Sequence, residues 1–145
     1  MIGLLQRVAQ ASVEVGAEHV ASIGPGLLVL VGVRPDDDEA SAVRLLDRLL
    51  HYRIFADETG RMNLSLSQTL GDLLLVPQFT LAADTAKGLR PGFSTAAPPE
   101  QGRRLFDFLA QAARDEFGAV QTGLFGAHMQ VSLTNDGPVT IWLES

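Results

Sequence analysis

The sequence predicts an α/β domain built on a mixed or antiparallel sheet with two main helices. Strand-like stretches outnumber helical ones, apolar residues recur at three-and-four spacing in only two stretches, and hairpin-like segments separate those two. At 145 residues, with 46% hydrophobic and 19% charged residues, the chain has the length and apolar content of a single layered domain, residues 1–145. No internal repeat, linker or low-complexity tract divides it.

Met1 to Val15 alternates apolar and polar side chains over much of its length, the pattern of a half-buried strand, with an interruption expected near Ala9 to Ala11. A second strand is expected over His19 to Ile23. Gly24-Pro25-Gly26 marks a turn, and the nearly unbroken apolar run Leu27 to Val33 reads as a strand buried on both faces. Asp36-Asp37-Asp38-Glu39 precedes Val43, Leu45, Leu46, Leu49 and Leu50, the spacing of an amphipathic helix with acidic residues at its positive end. Helix capping accounts for those carboxylates better than a metal site does.

His51 to Ala56 reads as a short strand closed by Asp57-Glu58-Thr59-Gly60, and Leu73 to Val76 begins another that Pro77 breaks or edges. Ala82 to Ala97 lacks periodicity and holds Lys87, Gly88, Arg90, Pro91 and Gly92, so it is expected to be a long surface loop, a kind of segment that often carries function. Pro98-Pro99-Glu100 opens the second helix, with Leu105, Phe108, Leu109, Ala112 and Ala113 as the buried stripe and Gly118 as the stop. His128 to Leu133 and Val139 to Leu143 read as two alternating strands flanking Asn135-Asp136-Gly137.

Several function classes are excluded by composition. The chain has no cysteine, so no disulfide framework, thiolate nucleophile or cysteine-based zinc site can be built. Neither a metal nor a cofactor is expected. Met1 opens without a basic segment or cleavage site and the apolar runs fall short of ~18 residues, so a soluble cytoplasmic protein with no membrane partner is expected. The net charge of −6 and a pI near 4.9 oppose a protein that coats DNA or RNA through a general positive field. A substrate gripped mainly at one end needs only a local basic patch.

Local rules assign no chemistry to the two most distinctive stretches. Asp-Gly between alternating strands is a hairpin signal, and Gly137-Pro138 is expected to be trans because only about 5 to 6% of X-Pro bonds in folded proteins are cis. Gln78-Phe79-Thr80-Leu81 reads as a strand end with Phe79 and Leu81 in the core and Thr80 outward. A threonine hydroxyl needs an adjacent base to act as a nucleophile. His19, His51 and His128 are distant in sequence, and a triad is open only through the fold.

Taken together, Val76-Pro77-Gln78-Phe79-Thr80-Leu81 and Asn135-Asp136-Gly137-Pro138-Val139-Thr140 resemble the paired motifs of D-aminoacyl-tRNA deacylases. The resemblance runs along essentially the whole chain, through Gln6-Arg7-Val8, Gly26-Leu27-Leu28-Val29-Leu30, Arg53-Ile54-Phe55, Met62-Asn63-Leu64, Ala82-Ala83-Asp84-Thr85 and Met129-Gln130-Val131-Ser132-Leu133. It implies a deacylase-type fold and a hydrolase that cleaves the ester of D-aminoacyl-tRNA. It also implies a homodimer with both active sites at the subunit interface, in which Gln78, Phe79 and Thr80 of one chain meet Gly137 and Pro138 of the partner. In the family that Gly-Pro bond is cis and walls out L-aminoacyl groups. Achiral glycine would pass such a wall, which makes glycyl-tRNA a second expected substrate.

Arg7 resembles the family arginine that holds the Gly-Pro element; the alternative is an ordinary surface cation on an edge strand. Phe125 and Met129 would line a pocket for the terminal adenine, although core packing explains them equally well. Lys87 and Arg90 would touch phosphates of the acceptor end, or simply be solvated. The chain departs from the family at Pro77, where serine is usual, and proline brings no N–H, so donors at this corner begin at Gln78 or later. Two other functions stay open: a noncatalytic RNA-binding module, and a small-ester hydrolase with a threonine nucleophile.

Overall fold

One long strand, β1 (Ile2–Val15), organises the molecule, and the computed structural model describes all 145 residues around it. After it come β2 (Glu18–Ile23), β3 (Gly26–Gly32), α1 (Glu39–His51), β4 (Phe55–Ala56), β5 (Met62–Leu64) and the one-turn α2 (Leu66–Thr69). β6 (Asp72–Pro77), a 3₁₀ turn (Phe79–Ala82), α3 (Pro99–Glu116), β7 (Val120–Thr122) and β8 (Gln130–Glu144) complete the chain. The mixed sheet runs β2-β1-β3-β6-β7, with β8 also on β1; β3-β6 and β6-β7 are parallel and the other pairs antiparallel. No helix is long and apolar enough to cross a membrane.

β1 is divided lengthwise between two partners on one edge. Ile2 to Val8 pair with β3, and Ala11 to Val15 pair with β2. β8 occupies the other edge along nearly the whole strand, from Ile2↔Glu144 to Glu14↔Gln130. The interruption expected near Ala9 to Ala11 is therefore a shift of register, not a break in the strand.

The core follows from strand alternation. Leu27, Val29 and Val31 of β3 join Leu45, Leu46, Leu49 and Leu50 of α1 and Leu105, Phe106, Leu109, Ala110 and Ala113 of α3 in the main cluster. Leu28 faces the other way, into a second cluster with Val8, Val13, Leu74 and Val76. Each such buried aliphatic side chain contributes roughly 1.5–3 kcal/mol of apolar transfer. α1 begins at the N-cap Asp38, whose carboxylate accepts from the Ser41 N–H at 2.8 Å in a capping box.

Four expectations are corrected. His51 ends α1, and only Phe55–Ala56 of the proposed His51 to Ala56 strand is extended, because the helical ladder carries on to Tyr52 N–H on Arg48 O at 2.8 Å. The helical stripes are partly out of phase: Val43 and Phe108 are exposed and Ala112 is half-buried, while Ala42, Phe106 and Ala110 are buried. Asn135-Asp136-Gly137 is not a hairpin turn but lies inside the single strand β8. Gly137-Pro138, which local statistics assign as trans, is cis.

The C-terminal end of β8 is tied to the segment after β3. Arg34 donates to both Glu144 carboxylate oxygens, at 3.1 and 3.0 Å, and the Trp142 indole N–H donates to one of them at 2.8 Å. Chiefly through the Arg34 hydrogen bonds, then through Trp142, the Glu144 carboxyl is lowered from 4.5 to about 2. A carboxyl held low in the folded state stabilises fully above its ordinary range and loses that contribution as the pH falls from 4.5 towards about 2. Glu144→Gln is therefore expected to lower the urea midpoint modestly at neutral pH and to flatten the loss of stability across that acid window. A variant whose midpoint tracks the parent at every pH would refute this.

Candidate active site

Pro77 ends β6, and the last bond from this segment to β3 is the Gln78 N–H on Val31 O at 2.7 Å. The chain then turns into Phe79–Ala82, where the first hydrogen bond is Leu81 N–H on Gln78 O at 3.2 Å. The N–H groups of Phe79 and Thr80 precede that bond and are the orphan donors of the turn. The Thr80 hydroxyl accepts a hydrogen bond from the Gln78 amide. Phe79, expected in the core, is 56% exposed, because the chain leaves the strand for the 3₁₀ turn one residue earlier, and Leu81 is half-buried.

Beside this turn lies a cavity of about 220 Å³. The end of β3 (Val31, Val33), Pro77 to Phe79, Ala97, the start of α3 (Pro99, Gly102, Phe106) and the Phe125-Gly126 turn form its wall. None of these residues carries a titratable side chain, and Gln78 provides the only polar one. The three histidines are all exposed and none lines the cavity, so Thr80 has no imidazole partner.

Phe125 packs over Gly102 at the cavity wall, where a Cβ at 102 would stand 3.4 Å from its ring, in van der Waals contact. Arg103, one residue on, lays its guanidinium over the same ring at 4.8 Å from the centroid and donates to Phe125 O at 3.4 Å. Sequence reasoning missed Arg103; the signal available was a glycine inside a helix, which usually marks close packing. Met129 does not line the cavity. Its sulfur sits behind the wall, accepting from Leu124 N–H at 3.3 Å.

The second motif is built elsewhere. Opposite the single residue Arg7, between the pairs Gln6↔Thr140 and Val8↔Asn135, β8 inserts the four residues Asp136 to Val139. This large bulge pushes Asp136, Gly137 and Pro138 into solvent. Asn135 spans its base, accepting from Val139 N–H at 2.7 Å and donating to Val139 O at 3.1 Å and to the Thr140 hydroxyl at 3.0 Å. Arg7 holds it from below: Nε donates to Asp136 O at 2.8 Å and Nη1 to Ile54 O at 2.6 Å. Arg7 is thus not a surface cation on an edge strand, because β1 is paired on both sides and the side chain is only 15% exposed. A Cβ on Gly137 would meet Val139 N at 2.7 Å, so only glycine fits.

Within one chain, then, Gln78, Phe79 and Phe125 share a cavity, Thr80 adjoins it, and Gly137, Pro138 and Arg7 stand apart from it. Lys87 and Arg90 lie on the exposed tip of an arm rooted beside the cavity, where Phe93 packs on Phe79 with ring centroids 5.1 Å apart.

The family model described as D-Tyr-tRNA(Tyr) deacylase matches residues 4–144. A D-aminoacyl-tRNA deacylase of Thioalkalivibrio sulfidiphilus is 63% identical over 99% of this chain and 97% of its own length. One of Azotobacter vinelandii is 61% identical over 100% of both. Among solved structures, the c-Myc DNA Unwinding Element Binding Protein superposes with a TM-score of 0.95 at 38% identity, over 100% of this chain and 99% of that one. A structure described as a probable eukaryotic D-amino acid tRNA deacylase shares the fold, with a TM-score of 0.87 at 19% identity over 99% and 98%.

Arg7→Ala would leave two carbonyls without their charged donor. The expected result is a loss of stability on the order of 2 kcal/mol, with faster hydrogen exchange at the Val139 amide. An unchanged denaturation midpoint together with parental exchange would show that Arg7 does not hold the bulge.

Proposed function

This chain belongs to the D-Tyr-tRNA(Tyr) deacylase family, and on that premise we propose that it hydrolyses the ester between a D-amino acid and tRNA, releasing both. The observation that carries the mechanism is a cavity with no titratable side chain, set beside two orphan backbone N–H groups. An aminoacyl ester on ribose is already activated, so water attacks it without a protein nucleophile or a metal. The neighbouring ribose 2′-hydroxyl assists that water, since no side chain in the cavity can serve as a base.

Pro77 has no N–H and Gln78 spends its own on Val31 O, which leaves Phe79 and Thr80 to stabilise the oxyanion. Removing one such donor typically costs about 3 kcal/mol of transition-state stabilisation. The hydroxyl of the serine usual in the family is dispensable in this scheme. Phe125 offers its face to the terminal adenine, with Arg103 stacked on the same ring.

Chiral selection falls to Gly137 and Pro138. They are exposed and stand apart from the cavity of their own chain, which fits a homodimer in which each bulge enters the partner's site. Enantiomers differ by exchange of hydrogen and side chain at Cα. A main-chain wall where the L side chain must go rejects it without recognising any side chain. Glycine, having none, passes, so glycyl-tRNA(Ala) is a second substrate. The proposed setting is the cytoplasm. Duplex DNA, which the description of one solved relative brings to mind, is disfavoured by the net charge of −6.

Incubation with D-tyrosyl-tRNA is expected to release D-tyrosine over many turnovers while L-tyrosyl-tRNA stays intact; protection of both without release would make the chain a noncatalytic RNA-binding module. Thr80→Ala is expected to lose only part of kcat, because backbone donors survive the change. An acyl-threonine trapped in the parent enzyme would establish covalent catalysis instead. Glycyl-tRNA(Ala) is expected to be cleaved and L-alanyl-tRNA(Ala) spared, and equal rates on the two would rule out the wall.

A further inference from the structure

The segment read from sequence as an irregular loop is an ordered arm. Asp84 and Gly92 exchange both backbone hydrogen bonds, at 2.7 and 2.9 Å, and the Asp84 carboxylate accepts from Ala86 N–H at 2.9 Å. Its root is fixed to the cavity wall: the Thr95 hydroxyl donates to Ala82 O at 2.6 Å, and Ala97, which lines the cavity, donates to Val33 O at 2.9 Å. Beyond the Asp84–Gly92 bridge every residue of the tip is exposed.

Leu89 at that tip is fully exposed, the most exposed large apolar side chain in the molecule. It stands between Lys87 and Arg90, and neither cation forms an ion pair. In a chain of net charge −6 this is a local positive patch with an apolar centre that the fold itself does not use. The tip lies about four residues past the bridge and is built of bends, with Leu89 near its apex.

We propose that this arm grips the single-stranded nucleotides that precede the terminal adenosine of the tRNA, with Leu89 against a base face and Lys87 and Arg90 on the flanking phosphates. The proposal rests on the deacylase reading and makes the RNA tail, not only the ester, a determinant of binding. An apolar contact to a base face is tolerant of sequence, as a contact to the common end of many tRNAs must be. Two phosphate contacts to a single strand predict a salt slope contribution of about −1.4.

The test compares two substrates, D-tyrosyl-tRNA and the D-tyrosyl ester of adenosine, for the parent, Leu89→Ser, Leu89→Phe and the double variant Lys87→Ala/Arg90→Ala. For Leu89→Ser the ratio of kcat/KM on tRNA to that on the ester is expected to fall roughly tenfold, mainly through KM. Leu89→Phe should retain or raise that ratio. The double variant should lower the ratio and lose about 1.4 from the salt slope. Equal changes on both substrates would overturn the proposal by making the arm a support of the cavity. An active parent with unaffected variants would overturn it alone, and so would a change in oligomeric state on sedimentation, which would assign Leu89 to a second copy of the chain. A parent idle on both substrates would bring down the deacylase reading and the arm with it.

Discussion

Pairing of β8 with β1 along nearly its full length sets the positions of everything else. A strand that must match its partner at both ends, yet carries extra residues in the middle, has to expel them, and here the four residues Asp136 to Val139 stand opposite Arg7 alone. The expelled residues would be mobile if nothing held them. Asn135 closes the base of the bulge and Arg7 reaches it from the middle of the sheet, with Ile54 O as its second anchor. The exposed Gly-Pro element is therefore tied to the sheet at both its base and its centre.

The second constraint is the way β6 ends. Proline in the final position and a 3₁₀ turn from Phe79 leave two amides outside the ladder, next to the cavity that Phe79 lines. The cavity wall comes from β3, α3 and the Phe125 turn, which belong to the same packed unit through the main core. Gly102 packs against the Phe125 ring and its neighbour Arg103 holds that ring from above through its guanidinium. Both halves of the proposed chemistry thus consist of main chain held by side chains that do not react.

The layered class, the doubly buried β3 and the two long helices were legible because periodicity reports burial directly, as with Leu27 to Val31 and Leu45 to Leu50. The α3 stripe was right at Leu105, Leu109 and Ala113 but took Phe108 and Ala112 on one flank where Phe106 and Ala110 on the other are buried, since spacing alone does not say which flank of an apolar face turns inward. The Asp-Gly hairpin failed for a different reason. Local turn propensity was real, but β1 offers β8 an uninterrupted edge, and long-range pairing outweighed a local preference. Neither cis Gly137-Pro138 nor the bulge could be read from local rules; only the resemblance of the two motifs to a family pointed there. Arg103 left no trace beyond its glycine neighbour, because a cation stacked on an aromatic ring twenty-two residues away has no sequence period.

Reacting groups that are main-chain amides, as proposed for this cavity, have an unusual relation to heredity. Point substitutions other than those to proline exchange side chains and leave peptide N–H groups in place, so side chains at the rim can change without dismantling the proposed machinery. What must be guarded instead are the buttresses, Arg7 and Asn135, whose hydrogen bonds hold the backbone of the bulge in place.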